Sequence, residues 1–95
     1  MRNAYLICYD IADPKRWRKI HKILMGHGDP VQLSVFLCSL SPTERQLLLA
    51  RLHPLLHTKE DALALVDMGP EDTGKDRLTT FGIVRWEGGK RDVVV

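Results

Sequence analysis

Residues 4–10 have the sequence Ala-Tyr-Leu-Ile-Cys-Tyr-Asp, a nearly continuous apolar segment that ends in a carboxylate. A strand buried on both faces has this pattern, so the segment is predicted to lie at the centre of a sheet. Asp13-Pro14 follows almost at once. It predicts the start of a helix, because Asp is a strong N-cap and proline is favoured at the first helical position. The other elements are arranged around this strand-to-helix corner.

The predicted first helix has an apolar side and a basic side. At about 100° per residue, the apolar side consists of Trp17, Ile20 and Leu24. The opposite side carries Lys15, Arg18, Lys19 and Lys22. Arg16 stands at the border of the apolar stripe, in the first turn of the helix. Residues 26–28, Gly-His-Gly, are predicted to end the helix through a glycine in the left-handed conformation.

The next segments predict extended chain and a second helix. Residues 31–38 mix alternating and continuous apolar positions, which fits either one long strand or two short strands broken near Ser34. Residues 41–44, Ser-Pro-Thr-Glu, match a capping box and predict a helix start. Pro54 is expected to kink that helix or end it early, because proline lacks the N–H that a helix interior needs.

The last third of the chain predicts two strands and a short tail strand. Residues 61–67 and 79–86 have strand character, and residues 69–74, Gly-Pro-Glu-Asp-Thr-Gly, predict a turn between them. The tail, residues 92–95, is mostly apolar and has no obvious partner strand left in its own chain.

This order of elements predicts an α+β fold, a ferredoxin-like βαββαβ sandwich with an extra C-terminal strand, as a single domain over residues 1–95. Two helices would cover one face of an antiparallel sheet. A second subunit is the simplest cover for the other face. A chain of 95 residues buries only about 60–68% of its unfolded surface, so its own core is thin. We therefore expect a homodimer.

The composition excludes several classes of protein. Hydrophobic residues at 44% and charged residues at 27% are ordinary values for a globular domain. No apolar run approaches the roughly 20 residues that span a bilayer, and the N-terminus lacks the pattern of a signal peptide. Cys8 and Cys38 lie in apolar segments, where small buried thiols are usual. We expect a cytoplasmic protein without disulfides and without membrane contact.

The net charge of +2 is unevenly distributed along the chain. Residues 1–28 hold six Lys or Arg and two acids, whereas residues 29–95 hold eight Lys or Arg and ten acids. A first third with charge +4 indicates an anionic partner. The basic side of the first helix suits phosphate backbones, although a solvated helix face has the same pattern.

Asp10 is the main candidate for chemistry, because it closes the central strand just before a turn. One hypothesis is structural: Asp10 caps the turn or pairs with Arg16. The other is that Asp10 is a metal ligand or a general base. Mg²⁺ prefers octahedral oxygen coordination and usually takes one or two carboxylates together with phosphates, so a single carboxylate is a poor site. A two-fold axis that brought two copies of Asp10 together would supply the second one.

Two stretches carry a resemblance to a known family. Residues 9–16, Tyr-Asp-Ile-Ala-Asp-Pro-Lys-Arg, followed by Arg-Lys-Ile at 18–20, resemble the opening motif of the CRISPR-associated protein 2 (Cas2) family. A second motif, Gly28 followed by Val-Gln-Leu-Ser-Val-Phe at 31–36, lies at the family's distance after the first helix. The match is close over residues 4–38, and chain length and element order agree throughout.

The resemblance implies a ferredoxin-like homodimer in which the C-terminal part, residues 78–95, contributes a last strand to the partner's sheet. The residues expected at dimer or packing contacts are Phe36, Val93, Val94 and Val95. Asp10 matches the family's aspartate at the end of the first strand, which implies a catalytic Mg²⁺ ligand. Arg16 matches the family's helix arginine and Arg18 its basic cluster. With Lys15, Lys19 and Lys22 they are the expected nucleic-acid-binding residues.

Two functions remain open on this resemblance. Members of the family are described as Mg²⁺-dependent endonucleases on single-stranded RNA or double-stranded DNA. The family also takes part in antiviral defence, in the integration of new spacer DNA into the CRISPR array, together with the integrase, CRISPR-associated protein 1. The chain is therefore expected to be either a metal-dependent phosphodiesterase of CRISPR adaptation or a non-catalytic DNA-binding scaffold for that integrase.

Overall fold

The computed structural model describes residues 1–85 and 91–93. The strands are β1 (Asn3–Asp10), β2 (Gly28–Gln32), β3 (Val35–Leu40), β4 (Ala62–Pro70), β5 (Ile83–Arg85) and β6 (Arg91–Val93). The α-helices are α1 (Pro14–Met25), α2 (Pro42–Leu52) and the single turn α3 (Glu71–Gly74). Short 3-10 turns follow α2 at His53–Leu55 and α3 at Lys75–Arg77.

Strand β1 lies inside an antiparallel sheet of order β2-β3-β1-β4. Ile7 in its middle is opposite Phe36 of β3 on one side and Leu65 of β4 on the other. This order is the arrangement of a ferredoxin-like sandwich, which confirms the predicted fold class and the central position of residues 4–10.

The two main helices cover one face of the sheet and leave the other without them. Alternate residues of β1 point toward α1 and α2, and the core there consists of Tyr5, Ile7, Tyr9, Ile20, Leu24, Phe36, Cys38, Leu40, Leu48 and Leu52. Fully burying one such large aliphatic side chain is worth about 1.5–3 kcal/mol. We call the other side the open face; it is formed by Leu6, Cys8, Val35, Leu37, Ala64 and Val66. Helix α3 packs on this side at the end away from Asp10, where its Gly74 lies against Ala4 and the carbonyl groups of Met68 and Gly69.

Local signals for the two main helices are confirmed. The Asp13 carboxylate accepts a hydrogen bond from the Arg16 N–H at 3.0 Å, and Pro14 is the first helical residue. Ser41 and Glu44 form the reciprocal capping box at 3.1 and 2.8 Å. Helix α2 ends at Leu52, just before the turn that contains Pro54.

The predicted left-handed cap of α1 is wrong. Gly26 has φ −81° and continues the helical conformation, and its N–H bonds to the carbonyl of Ile23. The glycine that geometry requires is Gly28, at the start of β2. A Cβ there would lie 2.5 Å from the sulfur of Cys38 and from the carbonyl oxygen of Leu37, so close strand pairing excludes a side chain.

Residues 31–38 form two strands, and the break is at Ser34. Ser34 has φ +65°, a left-handed backbone that costs residues with a Cβ about 1–2 kcal/mol. Two hydrogen bonds hold it there: its carbonyl accepts from the Tyr9 N–H at 3.0 Å, and its hydroxyl accepts from Trp17 Nε1 at 3.2 Å.

Residues 69–74 do not form the predicted turn between two strands. Residues 69 and 70 belong to β4, which is longer than predicted, and Glu71–Gly74 form α3. Strand β4 continues to Pro70, which is opposite Asn3, and Gly69 with φ +88° absorbs the irregularity in register. Pairing then ends where the Glu71 N–H donates to the carbonyl of Arg2 at 3.0 Å and α3 begins.

The C-terminal strands pair with each other. In the described residues, β5 and β6 form an antiparallel hairpin in which Ile83 is opposite Val93. The expectation that the tail lacks a partner in its own chain is therefore wrong for Val93. Strand β5 also begins at Ile83, four residues later than predicted. Pairing with a second subunit stays a prediction, and Val94 and Val95 lie outside the described residues. Among the described helices, none has the length and apolar character needed to cross a membrane.

A small aromatic cluster fixes α1 on the sheet. The rings of Trp17 and His21 stack at 4.5 Å between centroids, and His21 also packs edge-on against Phe36 at 5.3 Å. The Tyr9 hydroxyl lies 2.9 Å from His21 Nδ1. Burial raises the pKa of Tyr9 to about 12 and lowers the pKa of His21, so both groups are held in their neutral forms.

We predict that Ser34→Gly is more stable than Ser34→Ala by about 1 kcal/mol, because only glycine adopts a left-handed backbone without strain. Both variants lose the hydrogen bond to Trp17, so their difference isolates the backbone term. Urea unfolding of the two variants measures it. An alanine variant as stable as the glycine variant contradicts the left-handed backbone conformation assigned to Ser34.

We predict that the protein loses stability as the pH falls below about 6.5, the ordinary pKa of histidine. The pKa of His21 is lower in the folded state than in the unfolded state, so protonation favours unfolding until the folded-state pKa is passed. His21→Phe keeps the stacking surface, and it should flatten this slope between pH 7 and 5. A slope that is equally steep in His21→Phe contradicts the prediction.

Candidate functional site

Asp10 is the last residue of β1 and its side chain is exposed. It lies opposite Ala62, the first residue of β4, and alternation along β1 places it on the same side as Cys8, on the open face. A shallow hollow of about 260 Å³ runs along this edge, lined by Cys8, Tyr9, Asp10 and residues 62–64. The carboxylate therefore stands at the end of an apolar surface and is accessible to solvent.

The predicted pairing of Asp10 with Arg16 is not what the structure contains. Arg16 Nε bonds to the Asp61 carboxylate at 2.8 Å, and its NH2 group lies 3.1 Å from Glu60. The cap of α1 is Asp13. Within residues 1–85 and 91–93, Asp10 makes no side-chain hydrogen bond or ion pair, so its carboxylate is available to a ligand.

Asp61 is the residue that sequence reasoning missed. Its side chain has no accessible surface, and its two oxygens accept four hydrogen bonds. The donors are Arg16 Nε at 2.8 Å, the His57 N–H at 2.9 Å, the Ala12 N–H at 3.0 Å and Arg16 NH2 at 3.2 Å. The Arg16 guanidinium is the main reason that the pKa of Asp61 is well below its usual range.

The only sequence signal for Asp61 was its place at the start of the predicted strand 61–67; in the structure β4 begins one residue later, at Ala62. Arg16 and Asp61 are 45 residues apart, and no local pattern connects residues at that distance. The pairing becomes visible only once β1 and β4 are neighbours in the sheet.

The basic residues of α1 are separated from Asp10. Helix α1 packs on the core side of the sheet, whereas Asp10 belongs to the open face. The exposed members of the basic side are Lys15, Arg18, Lys19 and Lys22. Lys19 and Lys22 border a groove of about 670 Å³ that Arg51 of α2 also lines. The structure thus brings the four cations together on one helix face, while Arg16 is held by carboxylates.

Phe36, the described residue still to be placed among the predicted packing contacts, and the thiol of Cys38 lie in the core, whereas the thiol of Cys8 lies on the open face. Phe36 is fully buried in the core, stacked with Tyr9 at 6.1 Å between centroids. Cys38 is buried, and burial raises the pKa of its thiol to about 12. Cys8 is only partly buried, because it lies on the open face instead of in the core.

The carboxylates of this chain do not form a complete metal cage within the described residues, where no group of three or more His, Cys, Asp or Glu side chains comes together. The exposed side chain of Asp10 offers one carboxylate per chain. That is within the one or two carboxylates that Mg²⁺ commonly takes from a protein when substrate phosphates and water complete the octahedron.

Known proteins resemble this chain in sequence and in fold. The family model for CRISPR associated protein Cas2 matches residues 3–76. The CRISPR-associated endoribonuclease Cas2 1 of Rhodospirillum rubrum is 43% identical over 70 residues, which cover 74% of this chain and 69% of that protein. The CRISPR-associated endoribonuclease Cas2 of Thermus thermophilus is 36% identical over 89 residues, 92% of this chain and 95% of that protein.

The fold agrees with these relatives. The crystal structure of Streptococcus pyogenes Cas2 superposes with a TM-score of 0.74 at 31% identity, over 83% of this chain and 99% of that one. The family match includes the central strand with Asp10, helix α1, the break at Ser34 and all of β4. The chain therefore belongs to the CRISPR-associated protein Cas2 family.

Proposed function

We propose that this protein is a homodimeric, Mg²⁺-dependent endonuclease of CRISPR adaptation in which Asp10 is the catalytic residue. The observation that carries the proposal is the exposed carboxylate of Asp10 at the end of the central strand, beside an uncovered apolar face. The relatives from Rhodospirillum rubrum and Thermus thermophilus are named endoribonucleases, which supports hydrolysis of phosphodiesters in RNA. Double-stranded DNA is the second candidate substrate.

A homodimer supplies a cover for the open face and a second Asp10 carboxylate. The open face is a contiguous apolar surface, and Val66 on it is 44% exposed. Such a surface marks an interaction site in a soluble protein. A two-fold axis along this face buries the apolar side chains and brings the two copies of Asp10 toward each other. Dimerisation then serves stability and the site together.

The two Asp10 carboxylates are the proposed protein ligands of Mg²⁺. An ion held by these carboxylates would supply activation of water and stabilisation of charge on the scissile phosphate. The remaining coordination positions suit water and phosphate oxygens. The contribution of this chain is to hold each carboxylate at the end of the central strand, beside the shallow hollow that residues 62–64 also line.

The basic side of α1 is the proposed nucleic-acid contact. Its four exposed cations are a short helix-face array, and each phosphate that they neutralise releases counterions. Since this array and Asp10 lie on different sides of the sheet, binding by α1 does not depend on the catalytic carboxylate.

That separation also favours the second candidate function, a scaffold that holds DNA for the integrase, CRISPR-associated protein 1. In this function the cations carry the activity and Asp10 is dispensable. Spacer acquisition in a host that contains both proteins distinguishes the two functions. A scaffold retains acquisition in Asp10→Asn and loses it when Arg18 and Lys22 are neutralised, whereas a catalytic role in adaptation predicts that Asp10→Asn alone abolishes acquisition.

We predict that Asp10→Asn lowers cleavage of single-stranded RNA and duplex DNA by at least about 100-fold in the presence of Mg²⁺, because the amide is a poor replacement for a carboxylate ligand. Chelation by EDTA should lower the wild-type rate equally. Asp72→Asn, an exposed carboxylate on α3, is the matched control and should cleave as the wild type does. Unchanged cleavage in Asp10→Asn contradicts the catalytic proposal.

We predict that Arg18→Gln combined with Lys22→Gln weakens binding to nucleic acid and reduces the slope of log K against log salt by about 0.9 for each lost phosphate contact on duplex DNA. Lys59→Gln, an exposed cation before β4, is the control with matched chemistry. Fluorescence anisotropy at several salt concentrations measures both quantities. Equal slopes in the wild type and the α1 variant contradict the assignment.

A further inference from the structure

We propose that Asp61 is a positioning residue for Asp10 and that Arg16 serves as its counterion, not as a ligand of substrate phosphate. This inference rests on the proposed function, because it assigns the parts of the same site. It also changes the role expected for Arg16, which the family motif places among the nucleic-acid-binding residues.

The first step of the argument is the position of Asp61 in the fold. It directly precedes Ala62, the residue opposite Asp10 in the ladder between β1 and β4. One of its oxygens accepts from the Ala12 N–H, two residues after Asp10. Two neighbouring residues therefore hold the backbone on either side of the turn after β1. Ala62 is opposite Asp10 in the strand ladder, and Asp61 accepts from the Ala12 N–H.

The second step is the chemistry of the four hydrogen bonds to Asp61. All four partners are donors: two N–H groups of Arg16, and the backbone N–H groups of Ala12 and His57. A carboxylate with two oxygens satisfies all of them. An asparagine of the same volume presents an NH2 group at one end, so two donors would then face a donor. Asp61→Asn breaks half of the network without leaving a cavity.

The third step concerns Arg16. Its side chain is 27% exposed, and its Nε and NH2 groups bond to Asp61 and Glu60. A buried charge needs a partner, and Arg16 is the cation that neutralises Asp61. Bidentate pairing with a carboxylate is among the stronger hydrogen-bonded arrangements in proteins, so a phosphate would have to displace the partner that Arg16 already has.

The test is steady-state cleavage of single-stranded RNA by the full chain with Mg²⁺, separated into kcat and KM. A small displacement of a catalytic group can cost about 100-fold in rate, so we expect Asp61→Asn and Arg16→Gln each to lower kcat about 10- to 100-fold with KM changed less than about twofold. Arg16→Lys should restore part of kcat. The double variant should be no slower than the slower single variant, because both remove one unit.

Two control variants bound the effect. Glu60→Gln removes only an outer contact of Arg16 and should lower kcat less than about threefold. Arg18→Gln, a proposed phosphate contact, should raise KM and reduce the salt dependence of binding. If Arg16→Gln behaves like Arg18→Gln while Asp61→Asn keeps the wild-type kcat, Arg16 is a phosphate ligand and the proposal is overturned. An unchanged kcat in both variants overturns it as well.

Failure of the proposed function has a separate signature, namely a wild-type protein that cleaves neither RNA nor duplex DNA. Amide hydrogen exchange of the full chain then decides the positioning role. Asp61→Ala, which removes both acceptor oxygens, should lose protection of the Ala12 and Asp10 amides, while the Ile7 amide in the middle of β1 keeps its protection and shows that the variant is folded. Wild-type protection at both Ala12 and Asp10 in that variant overturns the proposal.

Discussion

The pairing of β1 on both of its edges is the constraint on which the rest of the structure depends. Strand β3 on one side and β4 on the other set its register, so that Tyr5, Ile7 and Tyr9 face the helices. A slip of one residue would exchange the two faces of the strand. The same register decides on which side Asp10 emerges, because the strand ends there and the chain turns into α1.

This arrangement separates two kinds of surface. The core side carries α1, whose outward face is basic, and the open face carries the apolar side chains that end at Asp10. The cationic surface of α1 and the carboxylate of Asp10 therefore belong to different sides of one sheet. A substitution on one of these surfaces leaves the other in place, so the proposed binding surface and the proposed catalytic carboxylate can be tested separately.

Local chemistry was predictable, and long-range pairing was not. The caps at Asp13 and Ser41 were found from sequence because each involves residues within one helical turn. The prediction of a left-handed cap at Gly26 is wrong because glycine permits that conformation without requiring it. The predictions for residues 69–74 and for the tail strand are wrong because the end of a strand depends on the neighbouring strand with which it pairs. Within the candidate site, the place of Asp10 at the end of the central strand was predicted, whereas the pairing of Asp61 with Arg16 was not.

The sequence by itself determined the order of the elements, the apolar central strand, the helix starts, the basic side of α1 and the family to which the motifs belong. The first four of these follow from periodicity or from contacts between near neighbours in the chain, and the family follows from the resemblance of the two motifs. Only the tertiary structure decided that Arg16 pairs with Asp61 instead of Asp10. That choice depends on β4 lying beside β1, a contact between residues 45 positions apart, and hydrogen-bond geometry at such a distance is set by the sheet.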